Sequence, residues 1–257
     1  MHVDIDRFAH LHSPLHRWDQ RYKIAGLFSL ILVISMLSSL WALCCSVLIV
    51  AALMLISKIP VTQIIRPVLF PLLFLIPLFI FLPLSAGGEK YFFYGIPLYI
   101  DGIILSVRIA VKALCIIMLF LLITGTSPFT VSMKALRSLK IPSKIVDLIM
   151  FTYRYIYIYL DDLRALRQSI MMKGYRSNTS RHSFKTSSYL VGSLLVRSFE
   201  QTDRMFNAMT CRGYTGEVKV LTEFKSTWKD VIKFIISLCT AILLAGWELF
   251  MDTGKLL

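Results

Sequence analysis

Five apolar blocks, at roughly 24–40, 41–57, 68–85, 102–124 and 230–250, constrain this chain more than any other feature. A helix rises about 1.5 Å per residue and a bilayer core is about 30 Å thick, so about 20 apolar residues span it. The first two blocks rise only about 26 Å each and need help from their flanks. Residues of the blocks are contiguous rather than set at amphipathic spacing, and 56% of the chain is hydrophobic against 17% charged. A soluble domain with that balance would have too little polar surface to cover itself. The expectation is an all-α, polytopic helical membrane protein of about five spans.

Punctuation between the blocks supports this order. About twenty mostly polar residues precede the first block without a signal-peptide pattern, so it is expected to be an uncleaved span. Ser38-Ser39 joins the first pair, and Lys58, Pro60, Arg66 and Pro67 mark the next connection. The third block contains Pro71, Pro77 and Pro83, which predict a kinked or broken span. Residues 86–100, with Gly87-Gly88, Tyr91, Phe92, Phe93, Tyr94 and Tyr99, read as an aromatic interfacial belt. The fourth block is followed by Thr126-Ser127-Pro128, where the character of the sequence changes.

Of the 28 Lys and Arg in a chain of net charge +13, seventeen lie between 127 and 229, against seven Asp or Glu. Basic residues mark the cytoplasmic side of a membrane protein. The expected organisation is therefore a cytoplasmic arm (1–23), a four-span region (24–124), a cytoplasmic or interfacial segment (125–229), and a final span with a short outward-facing end (230–257). His16, Arg17, Arg21 and Lys23 agree with a cytoplasmic N-terminus. Cys44, Cys45, Cys115, Cys211 and Cys239 show neither a CxxC pair nor metal spacing, and most sit in apolar runs.

Within the basic segment, Ser127-Pro128 reads as a helix cap with proline in the first turn, and Pro142 stops or restarts the chain. Ile149, Tyr153, Ile156, Leu160, Leu163 and Ile170 then keep helical spacing, with Asp161, Asp162, Arg164, Arg167 and Gln168 on polar positions. That helix ends at Met172-Lys173-Gly174-Tyr175. Residues 176–188 read as a Ser/Thr-rich loop. A second helix from about Ser188 carries Val191, Leu195, Phe199, Phe206 and Met209 as its apolar stripe, with Glu200 placed to meet Arg204. It ends at Cys211-Arg212-Gly213-Tyr214. Glycine caps and terminal cations are ordinary helix-end devices. Two of them in a basic helical insert fit a docking device, with each cation entering a groove that holds an acidic side chain.

These residues carry a family resemblance over nearly the whole chain. With Ser13-Pro14-Leu15-His16-Arg17-Trp18-Asp19, Arg21, Lys23, Thr126-Ser127-Pro128, Ala135-Leu136-Arg137, Pro142 and Tyr153-Arg154-Tyr155, the paired basic-Gly ends resemble the transmembrane T component of energy-coupling-factor transporters, cobalt type (CbiQ/EcfT family). The resemblance implies a non-catalytic scaffold of an importer in a bacterial or archaeal cytoplasmic membrane. Its partners would be ABC-type ATPase subunits, docking at Met172, Lys173, Gly174, Cys211, Arg212 and Gly213, and a separate substrate-binding membrane subunit. The family motif is typically Ala-Arg-Gly, so Lys173 departs from it and lacks the planar fork that grips a carboxylate. Gln20 departs as well, standing where the family usually has proline.

Other features carry less. His2, His10, His12 and His16, near Asp4 and Asp6, match no defined ligand set and read as a solvated or interfacial arm, so neither a metal site nor a cofactor is expected. Asp101, Arg108 and Lys112 fall in or beside the fourth span, where ionisable residues are functional suspects. Arg108 and Lys112 share a face that packs on another subunit or lines a cavity, or else Arg108 snorkels toward Asp101. The sequence contains no GxxxxGK[ST] phosphate loop and no catalytic constellation. The resemblance alone implies the cargo, cobalt, with nickel or a vitamin as alternatives, since no residue here reads the substrate. The readings from other classes are a membrane-embedded enzyme, which would need clustered titratable residues at membrane depth where the spans offer almost none, and an anchored protein whose basic segment binds acidic lipid or nucleic acid. The localised basic-Gly-Tyr ends argue against that diffuse binding, and no nucleic-acid partner is expected.

Overall fold

The computed structural model describes residues 15, 18–57, 61–85, 90–93, 96–175, 178, 180–214, 216 and 227–256, with the backbone alone at 61–64, 66, 85, 90–93, 96–98 and 252–256. Among the described residues, eight helices and two short strands follow in order: α1 (Gln20–Met36), α2 (Leu40–Ser57), α3 (Val61–Ser85), β1 (Lys90–Phe93), β2 (Ile96–Tyr99), α4 (Ile100–Gly125), α5 (Phe129–Ser138), α6 (Ser143–Met172), α7 (Arg181–Cys211) and α8 (Trp228–Leu256). The chain divides into two compact units, one comprising 1–135 with 224–257 and the other 136–223.

Among the described residues, four helices of the first unit are long and apolar enough to cross a membrane: Leu40–Ser57, Pro67–Leu84, Ile100–Gly125 and Trp228–Met251. Between 17% and 28% of their residues are buried inside the chain. Apolar helices left so uncovered require a hydrocarbon solvent, and helices meet the further demand that every backbone polar group be paired internally. This is a multi-pass membrane protein. The helix from the first apolar block, α1, has 17 residues and is the most enclosed. Gln20, Lys23, Leu27, Leu30 and Ile34 form one buried stripe along it at helical spacing. The lower part of that stripe meets Leu119 and Leu122 of α4, Ala42 and Leu43 of α2, and Ala241 and Leu244 of α8 in a single core.

The third block is one helix through Pro67, Pro71, Pro77 and Pro83 rather than a broken one. Its C-terminal end takes α4 in close approach, since a Cβ on Gly102 would lie 2.5 Å from the Leu82 carbonyl oxygen. Between α3 and α4 the backbone forms an antiparallel hairpin, Lys90 opposite Tyr99 and Phe93 opposite Ile96. A belt of side chains at Tyr91, Phe92, Phe93 and Tyr94 lies outside what is described, as do the histidines of the N-terminal arm. Glu248 of α8, 8% exposed, accepts from the backbone N–H of Ser38 (2.6 Å) and Ser39 (3.0 Å). A carboxylate there caps the first turn of α2 and satisfies donors that have no helical partner.

The upper part of the α1 stripe is polar and fully enclosed. Lys23, with no exposed surface, donates to the Leu15 carbonyl (3.2 Å), Thr126 Oγ1 (2.8 Å) and Ser127 Oγ (2.9 Å). An ammonium has three N–H donors, and each meets an oxygen. Both hydroxyls are left as acceptors because their own protons go elsewhere: Thr126 to the Leu122 carbonyl (2.5 Å) and Ser127 to Gln20 Oε1 (2.6 Å). Gln20 Nε2 then donates to the Ile123 carbonyl (3.2 Å) and Ser132 Oγ (3.0 Å). Ser127 therefore does not cap α5 through its side chain. Pro128 takes the position ahead of the helix, accepting from Val131 and Ser132 N–H, while the Ser127 hydroxyl serves the buried network.

The second unit is built on α6 and α7, with the end of α5 held to α6 by an Arg137–Asp147 ion pair of 3.3 Å. On α6, Tyr153 and Tyr157 meet edge to face, and the Tyr159 hydroxyl reaches the Ser198 carbonyl of α7 at 3.4 Å. Helix α7 begins at Arg181, seven residues before the apolar pattern suggests. Ser180 caps it by accepting from His182 N–H, and the hydroxyls of Thr186 and Ser188 bond back to the carbonyls of His182 and Phe184. Back-bonding satisfies those side chains within the helix, so a Ser/Thr-rich composition does not force a loop here. Arg204 meets Gln201 (3.2 Å) instead of Glu200.

Candidate docking ends of the second unit

Helix α6 stops when Lys173 leaves helical geometry and Gly174 takes φ +86°. Gly174 N–H then bonds the Met171 carbonyl (3.0 Å) and Tyr175 N–H the Ile170 carbonyl (3.1 Å). This is the paired 5→2 and 6→1 arrangement of a Schellman cap. The end of α7 repeats it: Gly213 has φ +81°, Gly213 N–H bonds Thr210 (3.0 Å), and Tyr214 N–H bonds Met209 (3.0 Å). A left-handed residue other than glycine is strained by about 1–2 kcal/mol, which accounts for Gly at both places.

The backbone thus closes each helix without help from the preceding cation. Lys173 and Arg212 are exposed, and neither side chain has a hydrogen bond or ion pair among the described residues. Met172 beside the first is 92% exposed, and Cys211 beside the second is exposed too. The two ends are far apart. Lys173 lies next to the beginning of α7, because the Tyr175 hydroxyl contacts Ser183 Oγ (2.6 Å) and Ser187 Oγ (3.1 Å). Arg212 closes the other end of that 31-residue helix, about 45 Å along its axis. A cleft of about 460 Å³ adjoins Lys173, lined also by Tyr175, Asn178, His182, Ser183 and Thr186. Between the two ends, α7 leaves Phe184, Val191, Leu195 and Phe199 between 58% and 77% exposed, with Phe206 at 54%. Such an exposed apolar stripe is the mark of an interaction face.

Asp101, Arg108 and Lys112 belong to α4 of the first unit. Among the described residues no ion pair joins Arg108 to Asp101. Lys112 Nζ donates to the Ser35 carbonyl (3.1 Å), so its charge sits at the C-terminal end of α1, where orphan carbonyls favour a cation. The Nε of Arg108 is buried without a hydrogen-bond partner among the described residues. Sequence reasoning missed Glu248, although a lone carboxylate in the last apolar block is the signal that would have found it.

A multi-pass helical membrane protein carrying a basic insert, whose two helices end in exposed cations without a partner among the described residues, is the class defined so far. Residues 12–223 match the CbiQ family, described as cobalt transport protein, and the chain belongs to that family. It is 25% identical over 238 residues to the energy-coupling factor transporter transmembrane protein EcfT of Macrococcus caseolyticus, covering 87% of this chain and 89% of that one. It is also 25% identical to the EcfT of Staphylococcus aureus over 259 residues (93% and 95%). Its identity to the cobalt transport protein CbiQ of Rhodobacter capsulatus is 24% over 121 residues, covering 47% and 49%.

Proposed function

We propose that this chain is the non-catalytic coupling subunit of an ATP-driven importer, linking ABC-type ATPases to a substrate-binding membrane subunit. The single observation that carries the reading is the repeated helix end. A Schellman cap needs the glycine and the backbone amides, not the residue before them, and a terminal cation adds only about 0.3–1 kcal/mol to an exposed helix. Folding therefore gives little reason to place an exposed cation at the same position twice. Two sites about 45 Å apart along α7 suit two ATPase subunits, each offering a carboxylate to Lys173 or Arg212. The uncovered stripe on α7 suits a further membrane subunit. The basic excess between 127 and 229 supports a cytoplasmic side for this segment and the N-terminus.

Cobalt is the cargo we assign, on the description of the family and the name of the Rhodobacter relative. The membrane subunit, not this chain, is read as capturing it. The test is affinity purification of the tagged chain from mild detergent, wild type beside Arg212→Glu. The expected result is an ABC-type ATPase and a second membrane subunit with wild type, and loss of the ATPase with the variant. Wild type recovered alone, under conditions that preserve a known membrane complex, would overturn the reading.

A further inference from the structure

The second unit is inserted into the first, so the chain leaves the first unit at α5 and returns just before α8. The short stretch from Leu15 to Lys23 is bonded at both of these points. Toward the departure it holds Thr126 and Ser127 through Lys23, and Ile123 and Ser132 through Gln20. Toward the return, the Trp18 indole, 5% exposed, donates to the Asp230 carbonyl (3.2 Å) in the first turn of α8. Asp230 itself caps that turn by accepting from Thr227 N–H (3.2 Å). Leu15 ties the two sides, since its carbonyl accepts from both Lys23 Nζ (3.2 Å) and Trp18 N–H (3.4 Å).

A tie made only for stability has a simpler solution in apolar side chains, because an enclosed ammonium carries a large desolvation penalty. What a polar tie adds is definition. In this network every N–H of Lys23 and of the Gln20 amide and every hydroxyl proton has one acceptor. Any slip of α5 against α1 leaves a buried polar group unpaired, so the corner resists sliding and displaces what it is attached to. Attached to it is α1, the most enclosed helix of the membrane core, packed on α4 and α8.

Building on the proposed coupling role, we infer that Lys23, Gln20 and Trp18 are positioning residues of a stiff joint that delivers movement of the inserted segment to the membrane helices. They touch neither cargo nor ATPase. Breaking the joint separates the ATPase cycle from rearrangement of the membrane core while leaving the docking ends intact.

The chain has four tryptophans, of which Trp41 of α2 (73% exposed) and Trp247 of α8 (54% exposed) lie on membrane helices away from the joint. Fluorotryptophan is incorporated into this chain alone, the complex with its ATPases is reassembled in nanodiscs, and fluorine NMR is recorded with and without ATP and vanadate. Wild type is expected to show nucleotide-dependent shifts of the Trp41 and Trp247 signals. In Lys23→Met those shifts are lost, while ATPase binding and hydrolysis stay within twofold of wild type. Ser127→Ala, a smaller change that removes one bond to each of Lys23 and Gln20, is expected to reduce the shifts in part and covers the case in which Lys23→Met fails to fold. Undiminished shifts in either folded variant would overturn the joint, as would a wild-type complex that binds ATPases without any shift. Failure of wild type to bind ATPases would instead remove the coupling role, and the joint with it.

Discussion

At Lys173-Gly174-Tyr175 the chain closes a helix through a glycine at φ +86°, and at Arg212-Gly213-Tyr214 it does so through one at φ +81°. The same two amide bonds form at each, within 0.1 Å of one another. Beyond the backbone the ends part company. Arg212 presents a planar fork, Lys173 a point charge. The Tyr175 hydroxyl is braced on Ser183 and Ser187 of the next helix, whereas the Tyr214 hydroxyl has no hydrogen bond among the described residues. A local device can thus be copied faithfully while its chemistry diverges, because the cap is set by four residues and the rest by what lies across from them.

Removing the cations gives the largest expected effect and breaks the symmetry most sharply. Arg212→Ala should weaken ATPase binding by about 2–5 kcal/mol, the usual range for truncating one member of a desolvated charge pair. Lys173→Ala should cost about 1.5 kcal/mol, near tenfold, as for one hydrogen bond to a charged group. Titration of purified ATPase onto each variant in nanodiscs would measure both. Equal losses would mean that the partner has adapted to lysine and that the two ends are energetically alike.

The glycines sharpen the comparison from the opposite side, since here the ends should behave identically. A Cβ at Gly174 or Gly213 meets nothing within 4 Å, so only the left-handed backbone opposes substitution. Gly174→Ala and Gly213→Ala should each destabilise the helix end by about 1 kcal/mol. Hydrogen exchange at the amides of Tyr175 and Tyr214 would register it. A difference of more than twofold in energy between the two would show that the caps are not equivalent.

How far the sequence reaches follows the same division between local and distant. The apolar blocks and both helix ends are visible in it, since a spanning helix and a glycine cap depend on neighbours within a few residues. The start of α7 was hidden because Ser180 caps a turn whose next apolar residues are sparse, and whose hydroxyls bond back along the helix. Gln20 and Lys23 are legible as a pattern but not as a network, for their partners at 123–132 lie about a hundred residues away. The Gln20 that stands in place of the family's usual proline is one such case. Proline at the first position of a helix serves the backbone alone, whereas Gln20 donates twice and accepts once inside the core. Glu248 likewise needs Ser38 and Ser39, more than two hundred residues earlier, before its role as a cap appears.

The smallest expected effect concerns the two tyrosines, and it isolates the brace from the cation. Tyr175→Phe keeps the ring and the cap amide but removes the bonds to Ser183 and Ser187, worth about 0.5–1.5 kcal/mol together with the order they impose. The first end should then fray from the start of α7, and the Lys173 contact should weaken severalfold although the lysine is untouched. Tyr214→Phe loses no such bond and should leave ATPase binding unchanged. The pair is read in the same titration as the alanine variants. If Tyr214→Phe weakens binding as much as Tyr175→Phe, the hydroxyls act on the partner rather than within this chain. A weaker cation would then owe nothing to its brace, and the difference between the ends would reduce to lysine against arginine.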